Sequence, residues 1–210
     1  MRNNLLPIAK EGWKYIAYSF AAFIIFAVVD LELLSGLAFV LSAFFIFVYR
    51  NPERELPRFE QNSVVCPVDG TILSIDEIDG KDYAYKVTID SNYLDVPVLR
   101  SPISGSVVSL DKSHGTRLGL DSTLANKLNE SVNIVFEDNN SNKLKVSHKL
   151  KQSLDGIQID SFKSQNMLQT SRYGVMINGI TTIYLPQNFR LNISVANEVK
   201  ASETLVGYFS

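Results

Sequence analysis

From Val64 to Tyr208 the chain is a succession of short apolar and β-branched runs, each stopped by turn residues. The runs cover residues 64–65, 71–75, 85–89, 96–99, 106–110, 131–137, 144–148, 156–159, 174–177, 181–185, 191–195 and 204–208. Runs this short and this regularly spaced argue an all-β unit. They predict a mainly β, antiparallel sandwich or barrel. One helix is expected at 122–128, capped by Asp121 or Ser122. Residues 138–143 are all polar and read as a hairpin tip. Asn178-Gly179 lies between two β runs, the strongest short signal for a tight hairpin turn.

A nine-residue repeat narrows the architecture. Residues 66–74, Cys-Pro-Val-Asp-Gly-Thr-Ile-Leu-Ser, parallel residues 101–109, Ser-Pro-Ile-Ser-Gly-Ser-Val-Val-Ser. In each, proline opens a turn and a glycine three residues later ends it before a β run. The pattern resembles the barrel-sandwich of biotinyl and lipoyl carrier domains, whose closing strand 199–207 also resembles. Neither turn offers a lysine for attachment, so a carrier function is not supported.

The first fifty residues follow another rule. Residues 13–29 and 33–49 are almost entirely apolar and are separated by Asp30-Leu31-Glu32. A single helix through both would hold Asp30 and Glu32 at mid-membrane, at a cost of ~2.5–3.5 kcal/mol for such a charge. Two helices turning at 30–32 keep the acids at a surface. Arg2, Lys10 and Lys14 precede the first helix, and Arg50, Arg54 and Arg58 follow the second. Both outer ends then favour the cytoplasmic side. Trp13, Tyr15 and Tyr49 stand where interfacial anchors belong. The expectation is residues 1–50 as a membrane-anchoring helical hairpin and 51–210 as a β-rich domain. Seventeen residues of helix reach only about 25 Å, so a shallow hairpin entering one leaflet stays open. So does a helical hairpin buried in a soluble protein. A cleaved signal peptide is disfavoured by the lack of a small-residue cleavage site.

Composition excludes several functions. A net charge of −2 gives no electrostatic case for nucleic acid. Cys66 is the single cysteine, so no disulfide scaffold forms. His114 and His148 are far apart, and no Cys/His cluster offers a zinc site. His114 reads as a loop residue and His148 as a surface residue at a strand end.

The stretch 172–186, Arg-Tyr-Gly-Val-Met-Ile-Asn-Gly-Ile-Thr-Thr-Ile-Tyr-Leu-Pro, resembles the self-processing segment of the phosphatidylserine decarboxylase family. Pro67-Val68-Asp69-Gly70 resembles that family's Pro-x-Asp-Gly motif. Residues 95–102 resemble its Asp-Val-His-Val-x-Arg-x-Pro segment, and Asn129-Glu130-Ser131 its Asn-Glu-Arg. Residues 7–13 and 50–54 resemble the boundary motifs of the short bacterial members. The resemblance implies a Gly-Ser bond that cleaves itself to leave a pyruvoyl group, with Asp69 assisting. Gly179 is matched, but Ile180 stands where the serine is expected and Pro97 where the histidine is expected. Isoleucine has no oxygen to attack the preceding carbonyl, and proline has no proton to exchange.

These substitutions set the functional expectation. The chain is a phosphatidylserine decarboxylase relative that forms no pyruvoyl cofactor and needs no metal. It is held at the cytoplasmic membrane, where it meets a phospholipid headgroup, an active decarboxylase or a second copy of itself. Arg100 and Arg172 are the candidate ligand residues. The rivals are an active decarboxylase making phosphatidylethanolamine and a structural adaptor that recognises no headgroup.

Overall fold

The computed structural model describes residues 6–54, 60, 62–80, 82–119 and 122–210. Arg2, Arg58 and Asp121, named above, lie outside them. The chain forms two compact units, Met1–Glu53 and Arg54–Ser210.

In the first unit α1 (Trp13–Val28) and α2 (Glu32–Val48) form a hairpin. Asp30 makes the turn possible by taking a left-handed φ of 58°, which a short polar side chain tolerates. The helices are joined by aromatic contacts, Tyr15 with Phe45 at 5.3 Å and Phe23 with Phe39 at 5.6 Å. Ser42 Oγ donates to Ser19 Oγ at 2.9 Å. The two boundary motifs pair with each other. Ala9 N donates to the Tyr49 carbonyl at 2.8 Å, and Asn51 N to that of Pro7 at 2.7 Å. The helical hairpin is as expected, and of the depths left open for it a full membrane crossing is not supported. Among the described residues no helix is long and apolar enough to cross a membrane. Helices of 16 and 17 residues rise roughly 25 Å, against a hydrocarbon core of about 30 Å.

The second unit is mainly β and antiparallel. Its strands are β1 (Ser63–Val65), β2 (Gly70–Glu77), β3 (Tyr85–Ser91), β4 (Val98–Arg100), β5 (Gly105–Ser113), β6 (Ser131–Glu137), β7 (Lys143–Leu150), β8 (Gln158–Ile159), β9 (Asn166–Met167), β10 (Arg172–Val175), β11 (Gly179–Leu185), β12 (Phe189–Leu191), β13 (Glu198–Val199) and β14 (Leu205–Phe209). An eight-stranded sheet runs β13-β2-β3-β11-β7-β6-β5-β9. Two three-stranded sheets, β1-β14-β12 and β4-β10-β8, complete the unit. Alternation places the core. Val132, Ile134 and Phe136 of β6 point inward, as do Leu144 and Val146 of β7 and Ile183 and Leu185 of β11. Each such side chain contributes about 1.5–3 kcal/mol by leaving water.

The nine-residue repeat extends through the whole unit. Both copies carry a bulge at the same place, between Ile72 and Ser74 on β2 and between Val107 and Ser109 on β5. Cys66 Sγ donates to the Val68 carbonyl at 3.1 Å, and Ser101 Oγ to that of Ile103 at 2.8 Å. The turns exchange backbone bonds: Val65 N donates to the Pro102 carbonyl and Arg100 N to that of Pro67. Each repeat also ends on a two-residue edge strand, β13 beside β2 and β9 beside β5. At Gly70 and Gly105 a Cβ would collide with a carbonyl oxygen of the next strand, Asp90 and Glu137 respectively. The unit is therefore two pseudo-equivalent halves around the β11–β7 pair.

Two local expectations fail. Asn178-Gly179 is not a tight hairpin turn, because β10 pairs with β4 and β8 while β11 pairs with β3 and β7. Residues 176–178 cross between sheets instead. The helix α3 is only Ala125–Leu128, with Ser122 Oγ accepting from Leu124 N at 3.4 Å before it.

Candidate functional site

Asp69 sits in the turn before β2 and is buried. Its Oδ1 accepts from Ala201 N at 2.8 Å. Its Oδ2 pairs with Arg54 Nη2 at 2.5 Å, and Arg54 Nη1 also reaches Glu203 Oε1 at 3.3 Å. Burial is the largest influence on the carboxyl and raises its pKa. The Ala201 N–H and the Arg54 guanidinium pull it back without cancelling the rise. The pseudo-equivalent of Asp69 is Ser104, whose Oγ accepts from Gln169 N at 2.9 Å. Holding a backbone N–H is thus the architectural duty of this position, and the charge on Asp69 is an addition to it.

Two more guanidinium groups stand nearby. Arg100 on β4 and Arg172 on β10 are register partners. Arg172 pairs with Asp160 at 3.9 Å and keeps 6 % of its side chain exposed. Arg100 is half-buried and donates to the Thr170 carbonyl at 3.4 Å. Burial lowers the Arg100 pKa most, and the positive charges of Arg54 and Arg172 add to that, against Asp69 and Glu203. Of the two ligand candidates, Arg100 is the one whose charge is felt by this whole cluster.

Gly179 opens β11 with Ser91 of β3 on one side and Leu150 of β7 on the other. Ser91 Oγ donates to the Asp69 carbonyl at 2.6 Å, linking the two matched motifs across the sheet. Pro97 is buried and its carbonyl accepts from Met176 N at 2.8 Å. Asp69, Pro97, Arg100, Arg172, Gly179 and Ile180 therefore belong to one end of the β unit, although they span more than a hundred positions of chain. Ile180 lies inside a strand paired on both sides, opposite Asp90 and Lys149.

Three sets of partners at or near this end carry no sequence signal as pairings. Lys151 Nζ pairs with Asp90 and donates to Asn92 Oδ1 at 2.9 Å. Arg54 is the partner of Asp69, fifteen positions away. The third is a buried trio. His148 Nδ1 lies 2.8 Å from Thr181 Oγ1 and its Nε2 lies 2.6 Å from Tyr173 OH. His148 is fully buried rather than on the surface as expected, because β7 turns that face into the core. Burial alone lowers its pKa to about 3, so the ring is neutral at pH 7. Partner pairs 25 to 61 positions apart leave no local pattern in the sequence.

The remaining matched residues are structural. Asn129 accepts from Leu118 N and Thr116 Oγ1 and donates to the carbonyls of Leu118 and Leu150. Glu130 accepts from Ile157 N and pairs with Lys112 at 3.1 Å. Burial pushes the Cys66 thiol up to about 12, which leaves it an inert packing group. Among the described residues no three His, Cys, Asp or Glu side chains are placed to hold a metal ion.

The model of the phosphatidylserine decarboxylase family matches residues 41–207. The chain belongs to the phosphatidylserine decarboxylase family. A phosphatidylserine decarboxylase proenzyme of Geotalea uraniireducens is 30% identical, with 99% of each chain covered. One of Desulfotalea psychrophila is 27% identical over 96% of each. One of Ehrlichia canis is 28% identical over 98% of this chain and 93% of its own. Because these relatives align over nearly the full length, the decarboxylase likeness takes in the helical hairpin as well as the β unit. Phospholipid is the substrate class of the decarboxylase family.

Proposed function

We propose that this chain is a non-catalytic member of the phosphatidylserine decarboxylase family that binds a phospholipid headgroup. One observation carries the reading: the residue after Gly179 is Ile180, held in a central strand. Self-cleavage needs a hydroxyl to attack the glycine carbonyl and a base to take its proton. Ile180 supplies no hydroxyl, and Pro97 supplies no base. The residues present do not suit formation of a pyruvoyl group. A mass spectrum of the intact purified chain is expected to show one species near 23.5 kDa. Two fragments, the smaller beginning at Ile180, Thr181 or Thr182 with a ketoacyl end, would overturn the reading.

The second reading, an active decarboxylase, draws on Thr181, whose hydroxyl is within hydrogen-bond distance of His148. A His148 ring with a pKa near 3 is a weak base for that role, since a general base works best near the ambient pH. The same spectrum separates the two.

Headgroup binding is assigned to Arg100, supported by Arg172 beside it. A guanidinium offers two parallel N–H donors to a phosphate or carboxylate. The helical hairpin holds the chain at the cytoplasmic face of the membrane by entering one leaflet, and an active decarboxylase or a second copy is the partner class. The chain is expected to bind phosphatidylserine vesicles more tightly than phosphatidylcholine vesicles, and Arg100→Gln to remove the preference. Equal binding to both vesicles, the outcome for a structural adaptor, would remove the headgroup from the proposal.

A further inference from the structure

Eight large apolar side chains stand exposed on the β unit among the described residues, and four of them are leucines in the connections at one end. Leu94 is 75% exposed, Leu124 53%, Leu154 48% and Leu128 46%. They ride on three connections: the one after β3, the one from β5 to β6, and the one after β7. Hydrogen bonds tie these loops into one surface. Tyr93 OH donates to the Gln152 carbonyl at 3.2 Å, and Asn178 Nδ2 to the same carbonyl at 2.7 Å. Arg117 Nη1 donates to the Leu154 carbonyl at 3.0 Å. Asn129 Nδ2 joins the β5–β6 loop to Leu150 at 2.8 Å. This is the end at which Gly179 faces Leu150 and Ser91, and so the end that carries Asp69 and Pro97.

The charge on the two ends differs. The leucine loops expose Arg117 and Lys127. The opposite end exposes Asp76, Glu77, Asp79 and Asp82 around the β2–β3 turn. Two surface depressions among the described residues lie at that opposite end, lined by 77–80, 82–85, 141–143 and 186–188. None of the four leucines lines either of them. The four leucines lie on three connections, with Arg117 and Lys127 exposed among them. A bilayer interface is deformable, accepts each leucine separately and attracts the cations when its lipids are anionic.

We infer that this end of the β unit docks on an anionic phospholipid surface, with Leu94, Leu124, Leu128 and Leu154 entering the interface and Arg117 and Lys127 facing the headgroups. The inference rests on the lipid-binding reading above, because a site that meets a headgroup has to face the bilayer with the surface around it. It adds which surface that is.

The test uses the full chain with its one tryptophan removed by Trp13→Phe. Leu94→Trp and Leu154→Trp are the reporters, and Gln187→Trp at the opposite end is the control. Each is mixed with phosphatidylcholine–phosphatidylglycerol vesicles whose acyl chains are brominated. Loss of most emission at positions 94 and 154, with emission at 187 retained, is the expected result. Retained emission at 94 and 154, or equal loss at all three, overturns the inference. The vesicles contain no phosphatidylserine, so failure of the headgroup preference leaves this result untouched. Failure here likewise leaves the vesicle-preference measurement to stand or fall by itself.

Discussion

Asp69→Ala is expected to destabilise the β unit by about 3–5 kcal/mol, the cost of stranding one partner of a buried ion pair. The partner left behind is Arg54, whose side chain is 9 % exposed and which retains the longer contact to Glu203 at 3.3 Å. The same change removes the acceptor for Ala201 N, so two interactions fail together. Ser104 suggests how to separate them, since a serine in the pseudo-equivalent turn accepts the matching N–H without any charge. Asp69→Ser combined with Arg54→Met keeps an acceptor and removes both charges. Replacing a buried pair by uncharged groups is often neutral, so the double variant should recover most of the loss. Hydrogen exchange of the β2 and β14 amides in increasing urea measures both variants. Equal losses in the single and double variants would mean that the ion pair does not explain the cost.

The second large effect is acid instability. The pKa of His148 is lowered from 6.5 in an unfolded chain to about 3 in the folded one. Between those values the unfolded state holds a proton that the folded state refuses. Stability from this group is therefore complete above pH 6.5 and drains away as pH falls toward 3. The slope is about 1.4 kcal/mol per pH unit, and the group is fully buried, so solvent does not screen it. Summed over the window the loss reaches roughly 5 kcal/mol. The structure offers no acid within the trio, since His148 faces Thr181 and Tyr173. His148→Gln keeps a hydrogen-bonding side chain and cannot titrate. Urea unfolding of that variant should show a flatter pH dependence across the window. An unchanged slope would place the acid sensitivity elsewhere.

Both effects arise from residues that sequence reading treated differently. Asp69 was legible because Pro67-Val68-Asp69-Gly70 is a turn motif with a family match. Its partner was not, because Arg54 reads as one of several cations flanking an apolar run. His148 was misread because strand alternation alone does not say which face of β7 is covered. The sheet order answers that, with β11 and β6 on either side and the smaller sheets completing the core. The Asn178-Gly179 turn misled for a related reason. Turn chemistry reports that the chain bends, but which strands pair is decided by what each run buries. Tyr173 and Val175 are buried with β4 and β8 as strand neighbours, whereas Ile183 packs between β3 and β7.

The class of the fold, the helical hairpin, most of the strands, the repeat and the family were all legible along the chain. Those are local or periodic properties, and periodicity survives in one dimension. Ile180 is equally legible as a side chain without an oxygen, which cannot attack a carbonyl in any fold. Only the folded structure shows that the repeat is a pseudo-twofold of the entire unit. It alone assembled Asp69 with Arg54, and His148 with Thr181 and Tyr173. Burial and ion pairing act through space, and these pairings follow from which strands close on one another rather than from any neighbour along the chain.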